Sequence, residues 1–401
     1  MMRETEVAGC WEKIARKGAV LQTVDEKPVQ ILYPGRLSDE PGADYLDAVV
    51  NIGNETQKGN IEVHVHTRDW QAHGHHHDPA YNNIVLHVVA HHNGDATTPC
   101  QNGRTVPVVC LETVRPPGIR PRKCRLKSTN IGAMLDNAGD IRFGEKSDRF
   151  KQQLTDTEPG QVLYEGLMAA LGYSRNQEAF RTIARNMPLH VLEERPADAE
   201  ALLLAAGGFL SLKDRKYPFE IPDYTFSNPP AWKLFRIRPA NYPPRRLAAM
   251  ASLLAQCRPQ GLLNFLEQKM ADTPPDAPET LENTLMVLSS GYWENHFDIG
   301  RLDVKLGAWL IGQTTARIMV INTILPYFAN FGEKAAILYR FYPVSEENTV
   351  ERHMKRQLEL SGKEVNSSRR QQGLLHLYKN YCTQGGCGRC PLTRPAVSIP
   401  E

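Results

Sequence analysis

The chain has 401 residues, 41% of them hydrophobic and 23% charged, with a net charge of +2. That make-up predicts a soluble globular protein, long enough for two domains with a core each. No apolar run reaches the roughly 18 residues a transmembrane helix needs, so no such span is expected, and the near-neutral charge leaves any polyanionic partner to local patches. The first residues, MMRETEVAGCWEKIARKG, mix acids with bases and carry no apolar stretch, so no signal peptide is expected and a cytoplasmic location is.

Glu6 to Arg16 has helical spacing, with Val7, Trp11, Ile14 and Ala15 near one face and Gly18 as a C-cap. Val20–Val24 and Val29–Tyr33, joined through Asp25-Glu26-Lys27-Pro28, read as a hairpin. Pro34 to Gly42 reads as a loop, and Tyr45–Ile52 (YLDAVVNI) as a third strand. A turn then leads into Gly59–His92, which holds nine of the thirteen histidines. Its opening Ile61-Glu62-Val63-His64-Val65 alternates, putting Glu62, His64 and His66 on one strand face. Asp69 to Tyr81 reads as a short helix with Asp69 as N-cap, His73 and His77 one turn apart, and Pro79 as the break. NIVLHVVA, residues 83–90, is a β-branched run expected of a strand buried on both faces.

Within this stretch the chemistry divides. Glu62 beside His64 on one face needs a partner if buried. His87, inside an apolar run, reads first as a hydrogen-bonded core histidine, His91 and His92 as residues past the strand end, and His76 and His77 either as part of the site or as solvated loop. Asp78-Pro79 reads equally as turn chemistry or as part of a site.

Asp44 opens one strand and Glu62 lies in the next, so their carboxylates are expected to converge on a divalent ion such as Mg²⁺ or Mn²⁺. An acid followed by a Glu-x-base tripeptide on the neighbouring strand resembles the PD-(D/E)XK nuclease superfamily, over roughly residues 6 to 92. The resemblance implies that Asp44 and Glu62 hold the metal and that phosphodiester bonds are hydrolysed. It departs at His64, which stands where that superfamily has Lys and cannot supply a permanent charge at neutral pH. The Trp and His residues after the strand are similar to those of its mismatch-repair branch. Over nearly the whole chain, PGADYLDA, GNIEVHV, DWQAHGHHHDPAYNNIVLHVV, LYEGLMAALGYSRN, RIRPANYPPRR and YCTQGGCGRCPL resemble a bacterial family known only as a domain of unknown function, which implies no activity.

Val106–Leu111 reads as a further strand, followed by the basic run RPPGIRPRKCRLK with Arg120, Arg122, Lys123 and Arg125. That run is either a solvated linker or a contact for nucleic-acid phosphates, and the domain boundary is expected near residue 135. Beyond it, residues 161–171, 177–186, 197–210, 246–257, 260–270 and 280–290 have helical periodicity, as does 307–331 with a kink at Pro326. RIRPANYPPRR groups Arg236, Arg238, Arg245 and Arg246 around a Pro-rich turn, either as surface cover at a helix entry or as an anion clamp. Tyr-Trp-Glu-Asn-His at 292–296 reads as capping or core.

The chain holds eight cysteines. Cys382, Cys387 and Cys390 lie on a Gly-rich segment near the end, where Zn²⁺ or an iron–sulfur cluster competes with free thiols. Cys10, Cys257 and His376 are candidates for a fourth ligand. In some nuclease relatives one early and three late cysteines tie the C-terminus to the core, which would cast Cys10 as the early one.

The resulting expectation is an α+β protein: a nuclease-like mixed sheet with flanking helices over 1–135, then a mainly α-helical domain over 136–401 ending in the Cys cluster. The leading function is a metal-dependent nuclease acting on DNA or RNA. Its catalytic candidates are Asp44, Glu62, His64, His73, His75 and Asp78, with Glu12 as an additional acid. One alternative is a non-catalytic nucleic-acid binder with a degenerate site. Another is a transition-metal enzyme or sensor using His64, His73, His75 and Asp78 with Zn²⁺ or Fe²⁺.

Overall fold

The structure is a computed structural model and describes residues 3–16, 20–38, 42–113, 124, 130–173, 175–210, 229–234, 237–303, 305–386 and 389–392. The chain is α+β, and it divides into two units. One comprises residues 1–139, 347–365 and 370–401; the other comprises 140–346 and 366–369. The expected boundary near 135 lies close to the first crossing. The expected continuous second domain, however, is interrupted, because most of the C-terminal segment folds with the N-terminal sheet.

The first unit is built on one eight-stranded mixed sheet. Its strands are β1 (Val20–Gln22), β2 (Pro28–Tyr33), β3 (Arg36–Leu37), β4 (Tyr45–Ile52), β5 (Glu55–His66), β6 (Ile84–His91), β7 (Thr97–Pro99) and β8 (Thr105–Cys110). They run in the order β1-β2-β4-β5-β6-β8-β7, with β3 alongside β4. β5, β6 and β8 are mutually parallel, whereas β2 and β5 each pair antiparallel to β4.

Helix α1 (Glu4–Arg16) covers one face. Val7, Trp11 and Ala15 recur at helical spacing and are buried against Ile61, Val63 and Val88. Elsewhere in the unit, Tyr33 and Val49 pack against Leu135 and Ala138. The same cluster takes in Met354 and Leu358 from Thr349–Leu358, and Leu374, Leu377 and Tyr378 from Ser368–Asn380. Two hydrogen bonds fix that packing. Tyr378 Oη donates to Asp47 Oδ2 at 2.6 Å, and Tyr33 Oη lies 2.8 Å from His353 Nε2.

Two local expectations shift. The segment after β5 is a single turn, α2 (Asp69–Ala72), followed by one 3₁₀ turn over His75–His77 and another over Pro79–Tyr81. Asp69 is the first residue of α2 and not its cap. Its carboxylate instead accepts from the His66 amide at 2.8 Å and closes the end of β5.

The second unit is helical, with elements including Pro159–Leu171, Gln177–Asn186, Ala199–Ala206, Pro243–Gln256, Leu262–Asp272 and Lys334–Phe341 around one large apolar core. The region read as one kinked helix over 307–331 begins as a short strand, Trp309–Ile311, and continues as helix Gln313–Met319. A π-turn over Val320–Ile324 then precedes Pro326, whose missing N–H interrupts the regular ladder. Among the described residues, no helix is long and apolar enough to cross a membrane.

Candidate metal centre

Three imidazoles and a carboxylate meet where β5 ends and the segment after it folds back. On β5, Glu62 and His64 point the same way, as period-two alternation requires, and both are buried. Gly74, in the left-handed region at φ +76°, lets the chain reverse between His73 and His75. A side chain there would strain a backbone that glycine adopts freely. As a result, His73 Nδ1 and His75 Nε2 each lie 3.2 Å from His64 Nε2. Glu62 Oε1 is 3.3 Å from His75 Nε2 and 3.6 Å from His64 Nε2.

These separations fit a bound ion. Ligands at about 2.0–2.1 Å in a tetrahedron lie roughly 3.3 Å from one another, and the three imidazole ligand atoms all fall within 4.8 Å of each other. Behind the cluster, Tyr81 stacks on His75 at 3.7 Å, and fully buried Trp70 meets the His75 ring at 5.4 Å. Trp70 is itself held by its Nε1–H bond to the Pro99 carbonyl at 2.8 Å. His73 and Glu4 are about half exposed and lie 4.0 Å apart, marking the open side.

Asp44 stands immediately before β4, next to Glu62 on the neighbouring strand, as expected. The Asp44 amide donates to Glu62 Oε2 at 3.2 Å, and the Val63 amide donates to Asp44 Oδ2 at 2.9 Å. Burial pushes the Glu62 carboxyl up to about 8, and burial together with the Glu62 charge pushes Asp44 up to about 7. The histidines move the other way. Burial, then the neighbouring histidines, hold His64 far down at about 2, and burial also lowers His75. His64 and His75 are therefore held in the neutral form, which is the one that ligates a metal.

The remaining candidates do not join the cluster. Asp78 is exposed, and its Oδ1 accepts from the Ala80 amide at 2.8 Å, so it caps a turn. The His76 and His77 rings lie 3.8 Å apart, tilted by 43°. His66 and His91 pair with the carboxylates of Asp69 and Glu112.

Arg245 and Arg246 are not phosphate contacts, because both are buried in the first turn of Pro243–Gln256. Arg245 donates to the carbonyls of Trp293, His296 and Gly307. Arg246 donates to the Leu310 carbonyl, to Tyr173 Oη at 2.9 Å and to Asn241 Oδ1 at 2.5 Å. Arg238 is exposed, whereas Arg120, Arg122, Lys123, Arg125 and Arg236 lie outside the described residues.

Cys387 also lies outside them. Cys382 is buried with its Sγ 3.8 Å from Met354 Sδ. Cys390 packs against the same apolar cluster, and so does Cys124, which spacing alone did not nominate. Of the proposed fourth ligands, Cys257 is buried in the helical unit's core and His376 bonds Asn380.

Sequence reasoning also passed over Glu4, and it read His87 first as a hydrogen-bonded core histidine, which it is, without finding its partner. His87 is fully buried, with Nε2 2.9 Å from His64 Nδ1. The signal for it was its register: His87 is the ladder partner of Glu62, a polar pair across two buried strands.

No curated protein and no solved structure matches the chain. A family model does, over residues 4–338, and the chain belongs to that family, described as protein of unknown function DUF2851.

Proposed function

We propose that the chain is a metal-dependent phosphodiester hydrolase whose ion is a transition metal such as Zn²⁺, held by His64, His73, His75 and Glu62. The observation that carries this reading is the meeting of three imidazole nitrogens within 4.8 Å of one another, with Glu62 Oε1 3.3 Å from His75 Nε2 and 3.6 Å from His64 Nε2, directly beside Asp44. An imidazole-rich set suits zinc or iron rather than Mg²⁺, which favours oxygen ligands. It also accounts for His64 in place of Lys: the residue serves as a ligand and not as a fixed charge.

When bound, such an ion supplies Lewis acidity and a lowered pKa for coordinated water. The chain's own residues do the rest. Glu62 is pinned by the Asp44 amide and holds its carboxylate toward His64 and His75. Asp44, with a carboxyl near 7, is placed to accept a proton close to neutral pH. Trp70 and Tyr81 keep water from the rear of the cluster, leaving the His73 side for substrate. The arrangement of the acids supports phosphodiester chemistry: Asp44 at the head of β4 and Glu62 on adjacent β5 follow the order implied by the nuclease resemblance. The basic run at 115–127 would supply cations for a polymeric phosphate.

The test is cleavage of single- and double-stranded DNA and RNA by chelator-stripped protein supplied with Zn²⁺, Fe²⁺, Mn²⁺ or Mg²⁺. Hydrolysis restored by a transition ion and lost in both Glu62→Gln and His75→Ala is expected. Hydrolysis with Mg²⁺ alone that survives His75→Ala would return the ion to Asp44 and Glu62. Binding without cleavage under every ion would leave a nucleic-acid-binding protein.

A further inference from the structure

We infer that His87, together with Thr98, is a positioning residue that sets the tautomer of His64 and thereby readies the centre for its ion; this rests on the metal reading above. His87 lies mid-strand on β6, with no exposed surface, opposite Glu62 in the parallel ladder. Its ring sits 5.1 Å from Trp70 and edge-on to His64 at 5.0 Å. Both of its nitrogens face polar atoms. Nε2 is 2.9 Å from His64 Nδ1, and Nδ1 is 3.4 Å from Thr98 Oγ1 on β7.

Proton counting fixes the direction of this chain. A neutral imidazole carries one N–H and one lone pair. His64 Nε2 faces His73, His75 and Glu62, so ligation there needs its lone pair and leaves the proton on Nδ1. That proton points at His87 Nε2, which must then accept, so the His87 proton resides on Nδ1 and points at Thr98 Oγ1. The opposite arrangement also makes every bond: Thr98 donates to His87, His87 donates to His64, and the His64 Nε2 proton then projects among the other ligands. Only the first arrangement admits an ion. Ligating histidines are commonly held by an acceptor on the second nitrogen. Here that acceptor is a second buried imidazole, itself oriented by a hydroxyl.

The test uses full-length, chelator-stripped protein. It reads the tautomers of His64 and His87 by ¹⁵N–¹H correlation with and without Zn²⁺, and Zn²⁺ affinity by competition with a chromophoric chelator. His64→Ala defines the share of affinity that belongs to this centre. With Zn²⁺, wild type is expected to show His64 protonated at Nδ1 and His87 at Nδ1. His87→Leu, which has no acceptor, should bind Zn²⁺ at this centre about 10- to 100-fold more weakly. His87→Gln, whose carbonyl can accept from His64 while its amide donates to Thr98, should recover most of that loss, a rescue that a purely structural role does not predict. Thr98→Val should weaken binding less than His87→Leu.

If His87→Leu does not fold, the wild-type tautomers and Thr98→Val carry the test. Folded His87→Leu that binds as tightly as wild type, or zinc-loaded His64 lacking its Nδ1 proton, overturns the relay while leaving the centre standing. Wild type that takes up no ion at His64 overturns the centre and the relay with it.

Discussion

Two clusters of polar residues stand out in the sequence, the histidines of 64–77 and the arginines of 236–246, and the structure uses them in opposite ways. Around His64 the side chains face one another. Three imidazoles bring their ligand atoms within 4.8 Å of one another, and Glu62 Oε1 lies 3.3 Å from that of His75. In the first turn of Pro243–Gln256 the side chains face the backbone instead. Arg245 gathers three carbonyls from three separate positions of a later segment, and Arg246 gathers a carbonyl, a phenol and an amide oxygen. Pro243 and Pro244 fit the start of that helix because the N–H groups they lack would have had no intrahelical partner. Buried polar side chains that satisfy backbone hold a fold together. Around His64, where the carboxyls are raised and His64 and His75 lowered, the side chains chiefly face one another, and the metal reading rests on that arrangement.

This contrast can be broken at either end. The largest effect is expected at the arginines. Arg245→Met should cost on the order of 3–5 kcal/mol in urea unfolding, because three carbonyls lose their donor at once. A loss under about 1 kcal/mol would show that these bonds are not structural.

At the histidines the dominant loss should be ion affinity. His75→Ala should lower Zn²⁺ affinity by roughly 100-fold or more, with a fold still cooperative in urea, since one ligand and one stacked ring are removed. Unchanged affinity measured by chelator competition would remove His75 from the centre.

The pH dependence of the ion-free protein should follow from the raised carboxyls. Asp44 and Glu62 hold their protons more tightly folded than unfolded, so their contribution is full below about pH 4. It is lost as pH rises through about 7 and 8. Below about pH 6.5 the buried histidines, whose folded values are lowered, oppose this trend, so stripped wild type should lose stability between about pH 6.5 and pH 8.5, and Glu62→Gln should flatten that slope. A slope of the same size in both proteins would contradict the assignment.

The smallest effect belongs to Asp78. Asp78→Ala should cost about 1 kcal/mol as a lost cap and leave zinc affinity unchanged. Weakened zinc binding would bring Asp78 back among the ligands.

Much of this was legible in the sequence, and the limits have physical causes. Alternation in Ile61–Val65 placed Glu62 and His64 on one face, and the apolar run at 84–90 marked a buried strand, because both signals arise from backbone geometry alone. Asp44 beside Glu62 was readable because a short turn joins their strands. The meeting of His73 and His75 at His64 was not, since it depends on Gly74 reversing the chain between two single turns. His87 was hidden for a different reason: a parallel partner arrives only after a crossover, and periodicity carries no register. Composition could not show that Arg245 and Arg246 turn inward, because the carbonyls they serve lie 48 to 64 residues away in sequence. Nor could it show that residues 347–365 and 370–401 return to the sheet, since their apolar spacing is equally helical in either unit.

The most direct test of the account is a crystal structure of zinc-soaked, full-length protein with anomalous data on either side of the zinc edge. The account predicts an anomalous peak about 2.0–2.2 Å from His64 Nε2, His73 Nδ1, His75 Nε2 and Glu62 Oε1. A peak confined to the cysteines or to Asp44 and Glu62, with the three imidazoles hydrogen-bonded to one another around no ion, would contradict it.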